Sequence, residues 1–535
     1  MEQFDFVIIG AGSAGCVLAE RLSRSGRHRV LLLEAGVRDR RAWIRLPIGY
    51  GKCFHDPAVN WGLHTESVPS LDGRKIYWPR GKVVGGSSSI NGLVYFRGLP
   101  GDFDDWAEAG YAGWDWASLL PIFERLERQI AGDGSQTGSG PMAVSDCERD
   151  FHPIRRHYYA AAQDLDLPRV DPKAAIFGEG IGPYHLTVEG GLRCSAATAF
   201  LRPALARRNL VLRRHAQAER ILFEARTANA LSYHWRGETH QVAAGQVILS
   251  AGAVHSPLIL QRSGIGPGDL LAMLGIAPVR ENPAIGAGLQ DHIGIDYMFR
   301  AHEPTLNQEL GTKLGQLRAG LRYLFGRRGP LGLSVNQMGG LVRSHPGANR
   351  ADIQLYFNPL SYSTTYRNRR PLLRPDPWPG FILGFNPCRP TSRGHVHLAG
   401  PDLSDGPMIV PSYLETEEDR AAVIACGRLS ARLLETSALQ SLIAGENGFS
   451  PIGASDEEIL ADFRARSGSV FHACGTCRMA PEERGGAVDA TLRVHGVDGL
   501  RVVDASIFPN ITSANTNAPT LMVADRAADL ILAEA

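Results

Sequence analysis

Two apolar runs near the N-terminus flank a segment of helical character. Residues 4–9 form the first run, which ends at Gly10, and residues 30–33 form the second. Residues 14–23 between them are predicted as a helix, so strand, turn, helix and strand follow one another within about 30 residues. This order predicts a βαβ unit that opens a parallel sheet.

Further apolar runs predict strands much later in the chain, at residues 209–212, 246–250 and 500–504. The βαβ unit and the last of these runs lie at opposite ends of the sequence. We therefore expect a mixed α/β fold in which one domain is assembled from discontinuous segments.

A third pattern predicts an amphipathic helix at residues 313–328. Its apolar positions recur at helical spacing, and basic residues surround them. The apolar residues are Leu314, Leu317, Leu321, Leu324 and Phe325, and the basic ones are Lys313, Arg318, Arg322, Arg327 and Arg328. We favour a scaffold helix with a solvated basic face. A membrane-surface helix has the same pattern, and the sequence does not decide whether this helix touches a membrane.

Two other segments are predicted as loops. Residues 131–140 are rich in Gly and Ser, and residues 366–380 are basic and rich in Pro. The arginines of the second segment are compatible with an anionic substrate, although a solvated loop is the preferred interpretation. These arginines are Arg367, Arg369, Arg370 and Arg374.

Composition narrows the class of protein. The chain of 535 residues has 44% hydrophobic and 21% charged residues, which is typical of a globular protein of two or more domains. With 56 Lys and Arg against 55 Asp and Glu, the net charge of +1 gives no overall attraction to nucleic acid. No apolar run approaches the ~18–20 residues that span a bilayer. Because we find no secretory signal and only 8 Cys, we expect a cytoplasmic protein.

The turn after the first strand carries a dinucleotide-binding motif. Gly10-Ala-Gly12-Ser-Ala-Gly15 fits G-x-G-x-x-G, in which the glycines allow a tight turn, close approach to a pyrophosphate and helix–sheet packing. Glu34 ends the second strand, where a carboxylate meets a ribose diol. An Arg at that position would suggest a 2′-phosphate, so its absence disfavours NADP and leaves NAD and FAD open.

Four later blocks carry a resemblance to a known family. They are GKVVGGSSSINGLVYFRG at residues 81–98, GAVHSPLILQRSGIG at 252–266, a segment ending in FHACGTCRM at 467–479, and RVHGVDGLRVVDASIFPNITSANTNAPTLMV at 493–523. In this order and spacing they resemble the glucose-methanol-choline (GMC) family of FAD-dependent oxidoreductases, and within it the choline-dehydrogenase-like bacterial branch. The resemblance covers residues 5–532.

The resemblance implies a division of the chain into two domains. A Rossmann-like FAD-binding domain would comprise residues 1–155, 190–298 and 463–535. A substrate-binding domain, with an antiparallel sheet backed by helices, would comprise residues 156–189 and 299–462.

The resemblance also implies FAD as the cofactor and a set of residues that bind it. These residues are Gly10, Gly12, Ser13, Ala14, Gly15, Glu34, Ala35, Gly81, Val84, Gly85, Ser88, Asn91, Gly92, Ala218, Ala251, Gly252, Asp504, Ala505, Asn515, Asn517 and Pro519. Some family members attach FAD covalently through a His two residues after a Ser pair. This chain has Ile90 there, so we expect non-covalent FAD.

The implied reaction is oxidation of a small-molecule alcohol, preferably a primary one, to an aldehyde. A base removes the hydroxyl proton as hydride leaves the α-carbon for flavin N5, and a donor stabilises the alkoxide. The family pattern selects His472 as the base and Asn515 as the stabiliser, with Asn517 nearer the flavin. Phe471 and His472 are expected in the substrate pocket, and Pro519 in the first turn of the final helix.

Alternative activities remain open at this point. A non-redox FAD lyase on the same fold is one, and an NAD-dependent enzyme is disfavoured by the blocks beyond residue 80. Cys388-Arg389 resembles a segment of the fatty-acid photodecarboxylase branch, although His472 and Asn515 favour alcohol chemistry. The electron acceptor, whether oxygen, a quinone or another carrier, is undetermined, as is the oligomeric state.

Two further features are given little weight. Cys474 and Cys477 form a C-x-x-C pair, but no second pair completes a metal set, so we expect no metal. His255 lies in the block at 252–266, and we expect it to be a loop residue rather than a catalyst.

Overall fold

The structure, a computed structural model, describes residues 1–367 and 370–535. The strands are β1 (Glu2–Ile9), β2 (Val30–Glu34), β3 (Leu63–His64), β4 (Tyr77–Trp78), β5 (Glu127–Ile130), β6 (Gln136–Thr137), β7 (Met142–Ser145), β8 (Gly180–Pro183), β9 (Val188–Glu189), β10 (Leu192–Arg193), β11 (Leu210–Arg214), β12 (Ala216–Glu224), β13 (Thr227–Trp235), β14 (Glu238–Leu249), β15 (Ile265–Gly266), β16 (Arg280–Glu281), β17 (Ala287–Leu289), β18 (Ile293–Ala301), β19 (Met338–Val342), β20 (Ile353–Asn358), β21 (Tyr362–Arg367), β22 (Arg370–Pro375), β23 (Gly380–Pro387), β24 (Gly394–Leu398), β25 (Pro407–Val410), β26 (Ile443–Glu446), β27 (Gly468–Ser469) and β28 (Leu500–Val502). The α-helices are α1 (Ser13–Ser23), α2 (Ala42–Arg45), α3 (Tyr50–Cys53), α4 (Pro100–Glu108), α5 (Trp116–Leu126), α6 (Arg155–Asp164), α7 (Arg202–Ala204), α8 (Gly252–Arg262), α9 (Gly268–Met273), α10 (Leu306–Gly311), α11 (Lys313–Gly326), α12 (Glu417–Glu435), α13 (Ser437–Gln440), α14 (Asp456–Arg466) and α15 (Asn517–Glu534).

The first sheet has a parallel centre. β1 lies between β2 and β14 and is parallel to both, while β11 is parallel to β2 and β28 to β14. The antiparallel strands β13 and β12 extend this sheet beyond β14. α1 joins β1 to β2, so the predicted βαβ unit is confirmed. The three later strand predictions also fall in this sheet, on β11, β14 and β28.

Burial explains the unbroken apolar sequence of this centre. All five residues of β2 are buried, as are residues 6–9 of β1. A parallel sheet with helices on both faces needs apolar side chains on both sides of each strand. α1 packs against α15, and Arg21 of α1 forms an ion pair with Asp525 of α15. The two ends of the chain therefore meet beside the sheet, as expected for a domain of discontinuous segments.

The second sheet is antiparallel. Its strand order is β26-β18-β23-β20-β19-β8, and β27 pairs with the start of β18. α12 packs against β23, so the expected antiparallel sheet backed by helices is confirmed. β18 begins at Ile293 and β27 at Gly468, so this sheet reaches slightly beyond the expected domain limits at residues 298 and 463.

α11 confirms the helix expected near residues 313–328. The side of the helix that packs against the protein differs from the one expected. Its buried residues are Ala319 and Tyr323, while its leucines are exposed to solvent. A scaffold helix would bury the leucines, so the scaffold interpretation is wrong.

The segment predicted as a loop at residues 366–380 begins within a hairpin, because β21 and β22 pair antiparallel. A two-stranded ribbon has only edge strands, where proline is tolerated, so the prolines did not exclude a strand here. Residues 368–369 lie outside the described residues, and so does the expectation for Arg369. The other predicted loop, at residues 131–140, contains the short strand β6.

Within the described ranges, no helix is both long and apolar enough to cross a membrane.

Candidate active site

A cavity of about 1740 Å³ lies between the carboxyl ends of the parallel strands and the antiparallel sheet. Pockets for small ligands have volumes of about 300–1,000 Å³, so this cavity has room for a dinucleotide together with a substrate. The expected site residues that line it are Gly10, Gly12, Ser13, Ala14, Glu34, Ala35, Gly81, Asn91, Gly92, Ala218, Ala251, Gly252, Phe471, His472, Asp504, Ala505, Asn515 and Asn517.

Five expected cofactor residues lie behind this lining as far as the structure describes it. They are Gly15, Val84, Gly85, Ser88 and Pro519. A Cβ on Gly15 would stand 1.9 Å from the carbonyl oxygen of Gly10, so Gly15 allows α1 to pack against the turn. Gly85 donates its N–H to Ala11 and accepts from Ser88 Oγ, which fixes the loop that follows β4. Val84 is buried, and Pro519 lies in the first turn of α15 as predicted.

The cavity wall around α1 is formed by closely approaching backbone. Gly86 has a φ of +53°, and a Cβ there would stand 2.7 Å from the Cα of Gly12. Gly12 is the N-cap of α1, and no side chain in the described part of the protein caps this helix. Its free N–H groups and positive dipole end suit a pyrophosphate. This part of the cavity therefore fits the expected FAD.

Glu34 stands at the cavity wall where β2 ends. Its carboxylate accepts hydrogen bonds from the N–H groups of Ala11, at 3.0 Å, and Gly36, at 2.8 Å. Burial raises the pKa of Glu34 to about 7, although both hydrogen bonds act in the opposite direction. Glu34 thus ties together the turns after β1 and β2, at the position that meets a ribose in dinucleotide-binding folds.

Asp504 ties further segments to the same end of the cavity. It accepts hydrogen bonds from the N–H of Gly252, at 2.8 Å, and from Ser256 Oγ, at 2.6 Å. Burial raises the pKa of this carboxyl group. Asn517, at the start of α15, accepts a hydrogen bond of 2.7 Å from Ser13 Oγ, so the first turns of α1 and α15 meet at the cavity.

His472 and Asn515 lie within hydrogen-bond distance at the cavity. Asn515 Nδ2 donates to His472 Nε2 across 3.0 Å. Asn517 contacts α1 instead, so Asn515 is the asparagine beside His472. Phe471 also lines the cavity and packs edge-on against Phe54, with ring centroids 5.4 Å apart.

A third side chain, His292, sets the tautomer of His472. His292 Nε2 lies 2.7 Å from the carbonyl oxygen of Cys388, which only accepts, so this nitrogen carries the proton of neutral His292. His292 Nδ1 must then accept from His472 Nδ1, 2.9 Å away. A neutral His472 that donates from Nδ1 has an unprotonated Nε2, and that is the atom beside Asn515.

Both imidazoles are held neutral. Burial lowers the pKa of His472 well below its usual 6.5, and the neighbouring His292 and Arg80 lower it further. Burial also lowers the pKa of His292 to about 4. Near neutral pH, His472 Nε2 is therefore available to accept a proton.

Backbone strain accompanies this pair. Phe471 and Ala514, which precede His472 and Asn515, have φ values of +71° and +66°. Such non-glycine conformations cost about 1–3 kcal/mol and persist only where surrounding contacts hold them. Asp291 provides one such contact, because it accepts from the backbone N–H of His472 at 2.7 Å.

β20 contributes polar side chains to the cavity. Gln354, Tyr356 and Asn358 alternate along the strand and line one wall. Their Oε1, OH and Oδ1 atoms, respectively, are buried and have no hydrogen-bond partner among the described residues. Leaving buried polar atoms unpaired costs free energy, so these atoms mark a part of the cavity that suits a polar ligand group.

Several residues at the site had little or no signal in the sequence. Asp291 and His292 stand in the unremarkable stretch LQDHIG and reach His472 about 180 residues later. His255 is in the first turn of α8 rather than in a loop. It lines the cavity and packs against Trp61, with ring centroids 4.4 Å apart and the ring planes tilted by 36°. The loop expectation for His255 is wrong because Gly252 begins a helix there.

The cysteine and arginine residues that suggested alternative activities lie away from the cavity surface. Neither Cys388 nor Arg389 is among the described lining residues, and Arg389 donates to the carbonyl of Ala351. Burial raises the pKa of the Cys474 and Cys477 thiols well above that of free cysteine, which makes them poor nucleophiles. In residues 1–367 and 370–535, no cluster of His, Cys, Asp and Glu is suited to hold a metal ion.

Comparisons with known proteins identify the family of this chain. A family model described as GMC oxidoreductase matches residues 4–294, and a second with the same description matches residues 390–524. The alcohol dehydrogenase (acceptor) of Pseudomonas putida is 37% identical over 538 residues, which are 99% of this chain and 96% of that protein. The mitochondrial choline dehydrogenase of Homo sapiens is 38% identical over 540 residues, with 99% and 90% covered.

Solved structures show the same fold. The crystal structure of pyridoxine 4-oxidase from Mesorbium loti superposes with a TM-score of 0.86 at 31% identity and covers 98% of both chains. A formate oxidase of Aspergillus oryzae gives a TM-score of 0.91 over 100% of this chain and 98% of the other. Its identity is 24%, so it supports the fold alone.

Proposed function

Because the chain belongs to the GMC oxidoreductase family, and is thereby an FAD-dependent oxidoreductase that acts on CH–OH groups, we propose that it oxidises a primary alcohol to an aldehyde. The observation that carries this proposal is the unprotonated Nε2 of His472 beside the amide of Asn515, at a cavity with room for FAD and a substrate.

His472 is the general base of the proposed reaction. Its Nε2 takes the hydroxyl proton, while Nδ1 keeps its hydrogen bond to His292 and so holds the ring in place. Asn515 Nδ2 is the donor beside that base, and it stabilises the alkoxide oxygen left behind. Bound FAD would supply the acceptor for the hydride that leaves the α-carbon. An electron acceptor, whether oxygen, a quinone or another carrier, completes the turnover.

We propose that FAD is held without a covalent bond. Ile90 lines the cavity at the position where some family members carry the attaching His, and its side chain has no nucleophile. The first sheet would hold the cofactor, with residues 1–155, 190–298 and 463–535 as the FAD-binding domain. Residues 156–189 and 299–462 would form the substrate-binding domain.

The substrate is proposed to be an alcohol with a second polar group. The unpartnered atoms of Gln354, Tyr356 and Asn358 support this, because an entirely apolar substrate would leave them buried and unpaired. A hydroxyl, ring nitrogen or amine on the substrate would satisfy them.

We also propose a cytoplasmic location. All eight cysteines lie in the described part of the chain, and all are free thiols. Unpaired cysteines in this number are typical of a reducing compartment.

Anaerobic mixing with alcohols tests the proposed function. The purified holoenzyme is mixed with choline, pyridoxine and unbranched primary alcohols, and bleaching of the oxidised flavin is followed by absorbance. We expect rapid bleaching by at least one alcohol that has a second polar group, and recolouring after oxygen is admitted would identify an oxidase. The His472→Ala variant should keep bound yellow FAD and be reduced about 10²–10⁴-fold more slowly.

Two results would contradict this assignment. If no alcohol bleaches the flavin, a non-redox lyase becomes the better interpretation of the function. If His472→Ala is reduced at the rate of the parent enzyme, His472 is not the base.

A further inference from the structure

α11 presents large apolar side chains to solvent. Their exposed fractions are 57% for Leu314, 59% for Leu317, 45% for Leu321, 71% for Leu324 and 84% for Phe325. Scattered exposed leucines are common, but five on one short helix form a contiguous apolar face, and such faces mark interaction sites.

Helical geometry places these side chains on one stripe. At 100° per residue, the five positions fall within an arc of about 100°, on the side of the helix away from Ala319 and Tyr323. Ala319 and Tyr323 are the residues by which α11 packs against the protein. The apolar stripe therefore faces outward, and we call it the α11 face.

Basic residues flank the α11 face. Arg318 and Arg322 lie on one side of the stripe and Lys313 on the other, and the sequence of α11 contains no acidic residue. Among the described residues, Arg322 has one ionic partner, Glu309, at 3.4 Å. Lys313 and Arg318 form no ion pair with any acidic group in the residues described. The positive charge of the helix is therefore largely uncompensated.

We propose that the α11 face docks the enzyme on a lipid bilayer surface that contains anionic headgroups. Leucine and phenylalanine side chains flanked by Lys and Arg match an interfacial helix, in which the apolar stripe enters the headgroup region and the cations meet lipid phosphates. The positive charge around the α11 face distinguishes between a membrane and a second copy of the protein as its binding partner. A second copy of this face would add more positive charge, whereas an anionic membrane neutralises it.

This docking would bring the cavity to the membrane. Gly311, Lys313 and Gln316 are exposed and also line the cavity, so the start of α11 stands at its rim. A reactant dissolved in the bilayer would then reach the cavity without crossing bulk water. The proposed docking does not depend on the assigned alcohol chemistry, and its test needs no substrate.

Vesicle sedimentation tests the proposal. The holoenzyme is mixed with vesicles of pure phosphatidylcholine, or of phosphatidylcholine with about 30% phosphatidylglycerol, and the pelleted flavin is measured. We expect binding to the anionic vesicles that weakens with added salt. A variant with Leu317→Gln and Leu324→Gln should bind about tenfold or more weakly.

Matched variants separate the apolar and the charged contributions. Arg318→Gln with Arg322→Gln should remove most of the preference for anionic over neutral vesicles. Met273→Gln, at a residue 72% exposed at the end of α9, is the control and should bind like the parent. Bound-flavin absorbance and the melting temperature verify that each variant is folded. We expect the variants to fold because the replaced side chains are exposed.

Three outcomes would overturn the proposal. The first is that the parent enzyme binds neither vesicle, which would leave the α11 face without a lipid partner. The second is that the Leu317→Gln, Leu324→Gln variant sediments like the parent. The third is that light scattering shows a dimer that the same variant dissociates, in which case a second copy covers the face.

Discussion

His292 Nδ1 lies 2.9 Å from His472 Nδ1, with the two rings nearly perpendicular at 86°. The direction of donation across this contact is decided farther away, at the carbonyl oxygen of Cys388. A residue that would not touch the substrate therefore determines which nitrogen of His472 can act as a base. We regard His292 as a positioning residue on this ground.

Replacing His292 tests this role. His292→Phe removes the acceptor for His472 Nδ1, so the tautomer of His472 is no longer fixed, and kcat/KM should fall about 10–100-fold with bound FAD unchanged. The acid limb of the pH profile should also move upward, because His292 helps to lower the pKa of His472. His395→Phe, on β24 and away from the described cavity lining, is the control. A purely structural role would lower stability without moving the pH profile.

The two asparagines before and at the start of α15 should differ in effect. Asn515→Ala removes the donor beside His472 and should slow flavin reduction about 10²–10³-fold. Asn517→Ala breaks the hydrogen bond to Ser13 and should mainly weaken FAD retention. Rapid-reaction kinetics and the flavin-to-protein absorbance ratio measure the two effects. If the effects were exchanged, Asn517 would be the catalytic partner.

The activity should persist into mildly acidic solution. Because burial depresses the pKa of His472 below 6.5, the base stays unprotonated as pH falls through that value and loses function only below it. A profile of kcat/KM against pH, with an artificial acceptor in excess, should place the acid limb below pH 6.5. An acid limb above that pH would show that this imidazole is not the group that titrates.

Gly86→Ala should prevent FAD binding. A Cβ at this position would meet the Cα of Gly12 at 2.7 Å, and the φ of +53° adds about 1–2 kcal/mol of strain for alanine. Gly26→Ala is the matched control, because Gly26 has a φ of +75° and no atom of the described residues within 4 Å of the added Cβ. We expect purified Gly86→Ala to be colourless and Gly26→Ala to be yellow. Equal flavin content in both would contradict the close approach.

Breaking the buried ion pair between Arg97 and Glu127 should strongly destabilise the protein. Its two nitrogen–oxygen contacts are 2.8 and 2.6 Å, and both side chains are almost fully buried. Glu127→Gln leaves Arg97 without a charged partner and should cost about 3–5 kcal/mol of unfolding free energy. Lys75→Met, which breaks an exposed pair with Glu66, should cost less than about 1 kcal/mol. Denaturant titration compares the two.

The sequence predicted most reliably what local spacing determines. The βαβ unit followed from two apolar runs and the motif Gly10–Gly15, and the structure confirms it. The GMC family, the enzyme class and the α/β architecture are confirmed as well. The roles of His472 and Asn515 came only from the resemblance, because spacing alone cannot choose among 17 histidines. These roles stay predictions until the variants are measured.

Long-range contacts account for what the sequence did not predict. His292 is 180 residues from His472, and no local pattern connects them. The periodicity of α11 located its apolar stripe correctly, but not the side on which the protein lies. The tertiary contacts of Ala319 and Tyr323 determine which side of α11 packs against the protein. In the sequence, these two residues could not be recognised as the packing side beside five larger apolar residues.

The pairing of β28 with β14 has a consequence for how the protein is made. At about 5–20 residues per second, β28 leaves the ribosome roughly 10–50 s after β14, and α15 follows it. During that interval residues 247–249 of β14, which pair with β28 in the folded protein, have no partner on that edge. An unpaired strand edge exposes the nascent chain to aggregation and to chaperones. A chain that terminates before residue 500 lacks both β28 and Asn515, so it can neither complete this sheet nor form the pair with His472.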